Sequence, residues 1–335
     1  MELMFSFIIP VFNRPNEIEE LLQSFVILDY VHDYEIVIVE DGSTIPSLEV
    51  IKKFTNRLNI NYLTKENSGP GDSRNFGMRQ AKGNYFIILD SDCILPRLYL
   101  NAVTNFLNKT YIDCFGGPDA AHNSFSSLQK AINFSMTSFI TTGGIRGNKR
   151  QISKFQPRSF NLGISKEAFL LTGGFGNIHP GEDPDLSIRL WKLGFETALI
   201  PEAFVYHKRR ISWNKFYQQV SKFGMVRPIL NDWHPETKKI TYWFPTVFIC
   251  GLVLAFILVI FNKFLLMSLY GIYFIILFMV ALVSTRSLSI AFQALFATIV
   301  QFTGYGFGFL KSWMTLKLSN KQPEENFPHL FFKNK

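Results

Sequence analysis

A chain of 335 residues is long enough to bury a sizeable core and to carry more than one folded unit. Its net charge of +8 comes without aromatic–basic interleaving or a nucleic-acid motif, so no nucleic-acid partner is expected. The three cysteines, Cys93, Cys114 and Cys250, lack paired spacing, which argues against a disulfide framework and fits a reducing compartment.

The apolar run at residues 5–11 predicts a buried strand, and Pro15 suits the first turn of a helix carrying Ile18, Leu21, Leu22 and Phe25 on one face. Residues 35–40, rich in β-branched side chains, predict a second strand, and Leu48, Ile51, Phe54 and Leu58 a second helix. A short strand at 60–63, a helix over 72–81 and a strand at 85–89 follow. This alternation predicts an α/β fold with a parallel sheet and helices on both faces, its ligands outside the carboxyl ends of the strands. Three strand ends are polar: residues 10–14, 40–43 and 90–92, all expected on one rim.

Residues 114–160 mix glycines, Ser/Thr clusters and Arg146, Lys149 and Arg150, a composition that predicts loops over a site. A short helix should end at Gly173 and Gly174. The next helix spans 181–194, with Pro184 at its start and Leu186, Leu190 and Leu193 on one face. A strand over 201–206 leads to His207, and residues 212–225 predict an aromatic amphipathic helix at a membrane surface.

Most of the apolar excess lies after residue 240. Uncharged stretches at 242–261 and 264–283, and a softer one at 288–310, are each near the roughly 20 residues a bilayer-spanning helix needs. These boundaries predict a soluble domain over 1–235, a membrane region of two or three helices over 236–310 and a basic tail over 311–335. Lys208, Arg209, Arg210, Lys238 and Lys239 precede the first stretch and suit an anionic cytoplasmic leaflet. Residues 1–10 lack the length and basic start of an export signal, so a multi-pass protein of the cell membrane with a cytoplasmic soluble domain is expected. A third full span would put Lys311, Lys317, Lys321, Lys333 and Lys335 outside, against the charge rule. The third stretch is therefore either re-entrant or interfacial, or the rule fails there.

Asp90-Ser91-Asp92 places two carboxylates one residue apart at the end of a buried strand. Such a pair can hold a hard cation together with substrate phosphates, as Mg²⁺ and Mn²⁺ favour. Glu40 and Asp41 end another strand, where a carboxylate can accept from the base or ribose of a nucleotide. Pro10, Phe12 and Arg14 leave the first strand, with Phe12 able to flank a base and Arg14 to meet a phosphate. Gly69, Pro70 and Gly71 open the helix that carries Arg74, and amides at such a terminus attract anions.

In order along the chain, residues 8–14, 39–43, 67–77, 81–85, 89–92 and 181–190 resemble the family 2 glycosyltransferases of the GT-A fold, an inverting, mixed-sheet nucleotide-diphospho-sugar transferase fold. The resemblance covers about residues 4–225. It implies transfer of a sugar from a nucleotide-diphosphate donor. It also implies Mg²⁺ or Mn²⁺ at Asp90 and Asp92, with His207 joining the shell, and a donor contact for Asp41 in preference to Glu40 and for Arg74. Asp90 touches the nucleotide as well, and Asp183 is the general base with Glu182 positioning the acceptor. Asp185 is expected to face solvent. Cys93 stands where many relatives carry another acid, and the Gln-x-x-Arg-Trp signature of processive relatives is missing, which implies a non-processive enzyme. Anchoring points to a glycan or lipid-linked acceptor in surface polysaccharide or glycolipid assembly. The alternatives are a polyprenyl-phosphate sugar synthase and a non-catalytic nucleotide-sugar-binding membrane protein.

Overall fold

The computed structural model describes residues 3–120, 125–142, 155–207 and 212–332. Arg146, Lys149, Arg150, Lys208, Arg209 and Arg210, expected over a site or ahead of the membrane, lie outside them. The chain divides into two compact units, one of residues 1–122, 149–208 and 331–335, the other of residues 123–148 and 209–330.

The first unit begins with strand β1 (Phe5–Val11), helix α1 (Pro15–Val26), β2 (Tyr34–Asp41), α2 (Leu48–Lys52), β3 (Ile60–Lys65), α3 (Pro70–Gln80) and β4 (Tyr85–Leu89). β5 (Cys93–Ile94), α4 (Tyr99–Lys109), β6 (Cys114–Gly116) and β7 (Asp119–Ala120) follow. After α5 (Ser127–Thr137) and α6 (Phe139–Thr142) of the second unit, the first resumes with β8 (Asn161–Ser165), α7 (Lys166–Thr172), α8 (Glu182–Lys192), β9 (Thr197–Leu199) and β10 (Val205–His207). α2 is shorter than its spacing predicts, yet Ile51, Phe54 and Leu58 still turn inward. Leu193, expected on the apolar face of α8, instead ends that helix and is exposed.

Among the described residues the main sheet runs β3-β2-β1-β4-β8-β6-β9. β3, β2, β1 and β4 are parallel, as the strand–helix alternation predicts. β8 breaks the rule by lying antiparallel to both β4 and β6, so the sheet is mixed. Among the described residues no single crossover helix joins β6 to β8, so none forces β8 to run with its neighbours. Side chains alternate faces along each strand. Phe5, Phe7, Ile9, Ile36, Ile38 and Ile87 meet α1 and α4 on one face, whereas Ile8, Val37, Val39, Phe86 and Ile88 meet Met78, Leu186 and Leu190 on the other. Burial on both faces explains the nearly continuous apolar runs. A small second sheet, β5-β10-β7, sets His207 opposite Cys93.

In the second unit, α9 (Trp213–Trp233), α10 (Phe244–Ile260), α11 (Leu265–Thr285) and α12 (Leu288–Leu318) are joined by α5 and α6. The helix expected over 212–225 thus continues to Trp233, and it buries Phe216, Val220 and Gly224. The segments Ile240–Ile260, Leu265–Thr285 and Leu288–Leu318 are each long and apolar enough to cross a membrane.

Gly163 of β8 faces Phe115 so closely that an added Cβ would lie 2.0 Å from the ring. Because Phe115 is fully buried, the ring has little room to retreat. Gly163→Ala should cost about 1–3 kcal/mol by overpacking. The check is a lower thermal midpoint in detergent, and an unchanged midpoint would show that this part of the sheet is loosely packed.

Candidate active site

β1, β2 and β4 run parallel and adjacent, so the segments that follow them emerge on one rim. The turn after β1 is held by Asn13, whose left-handed backbone (φ 55) brings its N–H to Ser43 Oγ at 2.8 Å and its side-chain oxygen to Ile45 N at 2.9 Å. That turn leaves Pro10 half-buried, Phe12 48% exposed, and Arg14 Nη1 donating to Asp92 Oδ2 at 2.7 Å.

Glu40 and Asp41 are both buried and both engaged. Glu40 accepts from Ser47 N at 2.7 Å, from Tyr62 Oη at 3.1 Å and from Ser43 Oγ, which fixes the loop after β2. Burial, with the Glu40 charge second, pushes the Tyr62 hydroxyl far above its usual range. Asp41 accepts from Lys65 Nζ at 2.9 Å, Ser68 N at 3.0 Å and Gly69 N at 2.9 Å. Asp41 therefore shapes the turn that starts α3, and Lys65 reaches on to Asp72 at 3.1 Å.

α3 buries Arg74 with its guanidinium between two acids. Nη2 donates to Asp90 Oδ1 at 2.8 Å and Nη1 to Glu182 Oε1 at 2.9 Å, while Phe175 lies 5.2 Å from the guanidinium carbon. Burial alone would raise Glu182, but the charge and hydrogen bond of His179, at 3.0 Å, and the charge of Arg74 hold it well below the usual carboxylate range. Asp183, next on α8, has Arg158 Nη1 3.5 Å from Oδ2.

His207 Nε2 lies 3.2 Å from Asp92 Oδ1 and 4.0 Å from Asp90 Oδ2. Its ring stacks on Phe160 at 4.7 Å, which fixes its plane. Burial would raise Asp92 too, but the charges of His207 and Arg14 outweigh it and keep that carboxyl ionised. Two carboxylates and an imidazole nitrogen within this reach suit Mg²⁺ or Mn²⁺. Cys93 Sγ is within 4.8 Å of the Asp92 and His207 ligand atoms. Burial and the neighbouring acids push its thiol far up, and it donates to Phe160 O at 3.4 Å, so it is a poor ligand for a hard cation.

Asp90, Asp92, His207, Arg14, Arg74 and Glu182 thus form a continuous chain of charged contacts, with Asp183 adjoining it on α8. Lys65 and Arg158 carry no local signal because Asp41 and Asp183 are distant in the chain, whereas His179 stands only three residues before its partner Glu182. Asp185 corrects an expectation: it is buried rather than solvent-facing. Its Oδ2 accepts from Arg189 Nε at 2.9 Å, and Arg189 in turn donates to Thr172 O and Gly174 O at 2.6 Å each. Arg189 needs a counter-ion there, and Asp185 one helical turn earlier supplies it.

A family profile described as Glycosyl transferase family 2 matches residues 6–169. Over that stretch the chain is similar to the family 2 glycosyltransferases. Poly(ribitol-phosphate) beta-N-acetylglucosaminyltransferase TarS of Staphylococcus aureus is 32% identical over 114 residues, covering 33% of this chain and 20% of that protein. Chondroitin synthase of Escherichia coli is 25% identical over 235 residues, covering 61% of this chain and 34% of the synthase. The chain therefore spans at most about a third of either relative. The mannosyltransferase PcManGT of Pyrobaculum calidifontis, solved with GDP-Man and Mn²⁺, shares the fold at a TM-score of 0.53 and 14% identity, covering 98% of this chain and 79% of that one. The mixed sheet is thus a GT-A-like fold.

Because Glu182 is depressed in the folded protein, its stabilising contribution is complete above the ordinary carboxylate pKa of about 4.3. That contribution is lost as the pH falls through the lower native value. The thermal midpoint of the native protein should therefore drop more steeply between about pH 5 and pH 2 than that of Glu182→Gln, whatever the variant's plateau. Parallel acid limbs would show that Glu182 is not held ionised by Arg74 and His179.

Proposed function

We propose that this glycosyltransferase moves a sugar, with inversion, from a nucleotide-diphosphate donor to a glycan or lipid-linked acceptor at the cytoplasmic face of the cell membrane. Its place is in assembly of a surface polysaccharide or glycolipid. The observation that supports this reading most is the single guanidinium of Arg74, which joins the donor-side acid Asp90 to the acceptor-side acid Glu182.

In this reading the nucleotide lies over Pro10 and Phe12, against the turn that Glu40 and Asp41 shape. Arg14 and Arg74 face the diphosphate. Asp90, Asp92 and His207 would hold Mg²⁺ or Mn²⁺, which when bound neutralises charge on a departing diphosphate. The acceptor hydroxyl attacks the anomeric carbon from the face opposite the donor oxygen. The carbon–oxygen bond to the diphosphate breaks, and the nucleoside diphosphate keeps its electron pair. The hydroxyl proton passes to Asp183. Glu182 suits that step poorly, because Arg74 and His179 stabilise its ionised form; it positions α8 instead.

The test is transfer by the full chain in nanodiscs, after a thermal-shift screen of nucleotide sugars with and without Mn²⁺. Asp92→Asn should remove the Mn²⁺-dependent stabilisation and nearly all transfer. Asp183→Asn should keep donor binding and lose about 10²- to 10⁴-fold in rate. A phosphate acceptor is already ionised and needs no base, so an Asp183→Asn rate close to that of the native protein would favour a polyprenyl-phosphate sugar synthase. Donor binding with neither transfer nor hydrolysis would favour a non-catalytic binder.

A further inference from the structure

By length and composition α10, α11 and α12 could each cross a bilayer, but their packing sets α12 apart. α10 and α11 form a hairpin, joined at Asn262 in the left-handed conformation (φ 57). Phe248 of α10 packs on Tyr270 and Tyr273 of α11, with ring centroids 4.9 and 5.3 Å apart. The open end of the hairpin therefore holds the start of α10 and the end of α11.

α12 meets that open end along its whole course. Near its start, Ile290, Ala291 and Ala294 cluster with Leu277 and Ala281 of late α11. Further on, Phe302 lies 4.8 Å from Phe248 and 5.5 Å from Phe244, and Thr246 donates to Gly306 O at 3.0 Å. At its far end, Trp313 is 5.1 Å from Trp243, which precedes α10. Both ends of α12 are thus at one level. Its 31 residues, about 46 Å at 1.5 Å each, run across the hairpin rather than beside it.

Two further observations agree. α12 lies along α9: Trp213 is 4.8 Å from Phe296, and Gly304 and Gly308 seat Val220 and Ser221. α9 carries Lys215, Lys222, Arg227 and Asp232, which are costly in hydrocarbon, so this stretch of α12 shares a polar depth. The chain also returns after α12 to the unit it left. Phe331 pairs with Ile178, Phe332 N donates to Asn177 O at 3.0 Å, and the Phe332 ring covers Gly69. A membrane region that starts and ends in one folded unit crosses an even number of times.

We propose that α12 is a membrane-surface helix on the catalytic side and that the chain crosses twice, through α10 and α11. The partner of α12 is the lipid surface itself. Leu288, Phe292, Phe296, Phe307, Met314 and Leu318 form its exposed apolar face. At its C-terminal end a cavity of about 320 Å³ is lined by Lys238, Lys239 and Lys317 with Trp243 and Trp313, the residue types that sit at headgroup level. This arrangement keeps Lys311, Lys317 and Lys321 on the side the charge rule prefers.

The proposal stands independently of sugar transfer, and so does its test. In a Cys250→Ser background, with Cys93 and Cys114 buried, single cysteines go in as Thr55→Cys, Asn262→Cys and Asn320→Cys in the full chain. A membrane-impermeant maleimide is applied to sealed vesicles of both orientations. Two crossings label Thr55→Cys and Asn320→Cys in one orientation and Asn262→Cys in the other. Labelling of Asn320→Cys together with Asn262→Cys, or of all three from one side, overturns the proposal. Nitroxides at Phe292 and Phe307 should report the same depth by collision with oxygen and with a polar relaxer; depths differing by half a bilayer overturn it as well.

Discussion

The site depends on one buried cation. Arg74 has 3% of its side chain exposed, and a guanidinium so removed from water persists only with its charge met. Asp90 and Glu182 meet it from elements 16 and 108 residues away in the chain. Both acids hold the same guanidinium, so the end of β4 and the start of α8 cannot be placed independently of each other. α3 holds the guanidinium in line because its first turn is anchored by Asp41, whose carboxylate accepts from Ser68 and Gly69. The loop after β2, α3, the acid pair and α8 thus form one mechanical unit.

The parts of this arrangement that the sequence made legible are those written locally. Strands buried on both faces read as apolar runs, and polar residues at their ends mark the rim, so β1, β2 and β4 and the acids behind them stand out. β8 does not, because Asn161–Ser165 resembles any short apolar segment and its direction is fixed by neighbours rather than by a crossover helix. Asp185 reads as a solvent acid because three acids crowd the first turn of α8; Arg189 stands one turn on in the same helix, but only the fold shows Asp185 buried and Arg189 reaching on to Thr172 and Gly174. Lys65 and Arg158 lack any local signature, and what marks them is a carboxylate delivered by another element; His179 differs, standing three residues before its partner Glu182.

Four acids of the proposed site face a cation: Arg14 on Asp92, Arg74 on Asp90, Lys65 on Asp41 and Arg158 on Asp183. The cations of a rim that would attract a diphosphate are therefore already engaged by its own acids. On the proposed function, donor binding exchanges partners rather than adding charge. Arg14 is placed to make that exchange, with about a third of its side chain exposed, whereas Arg74 is locked on both sides.

The membrane region carries the same lesson at larger scale. A hydropathy window sees composition along a helix and not its direction, and composition ranks α12 as a span at a mean hydropathy of 1.3 against 2.6 and 2.5 for the other two. The direction is set by small residues: Gly304, Gly306 and Gly308 let α12 approach α9 on one side and the start of α10 on the other. With side chains at those positions, neither approach would fit. The glycines that soften the hydropathy of α12 are thus the residues that lay it across the hairpin, which is why the softest of the three apolar stretches is the one that packs differently.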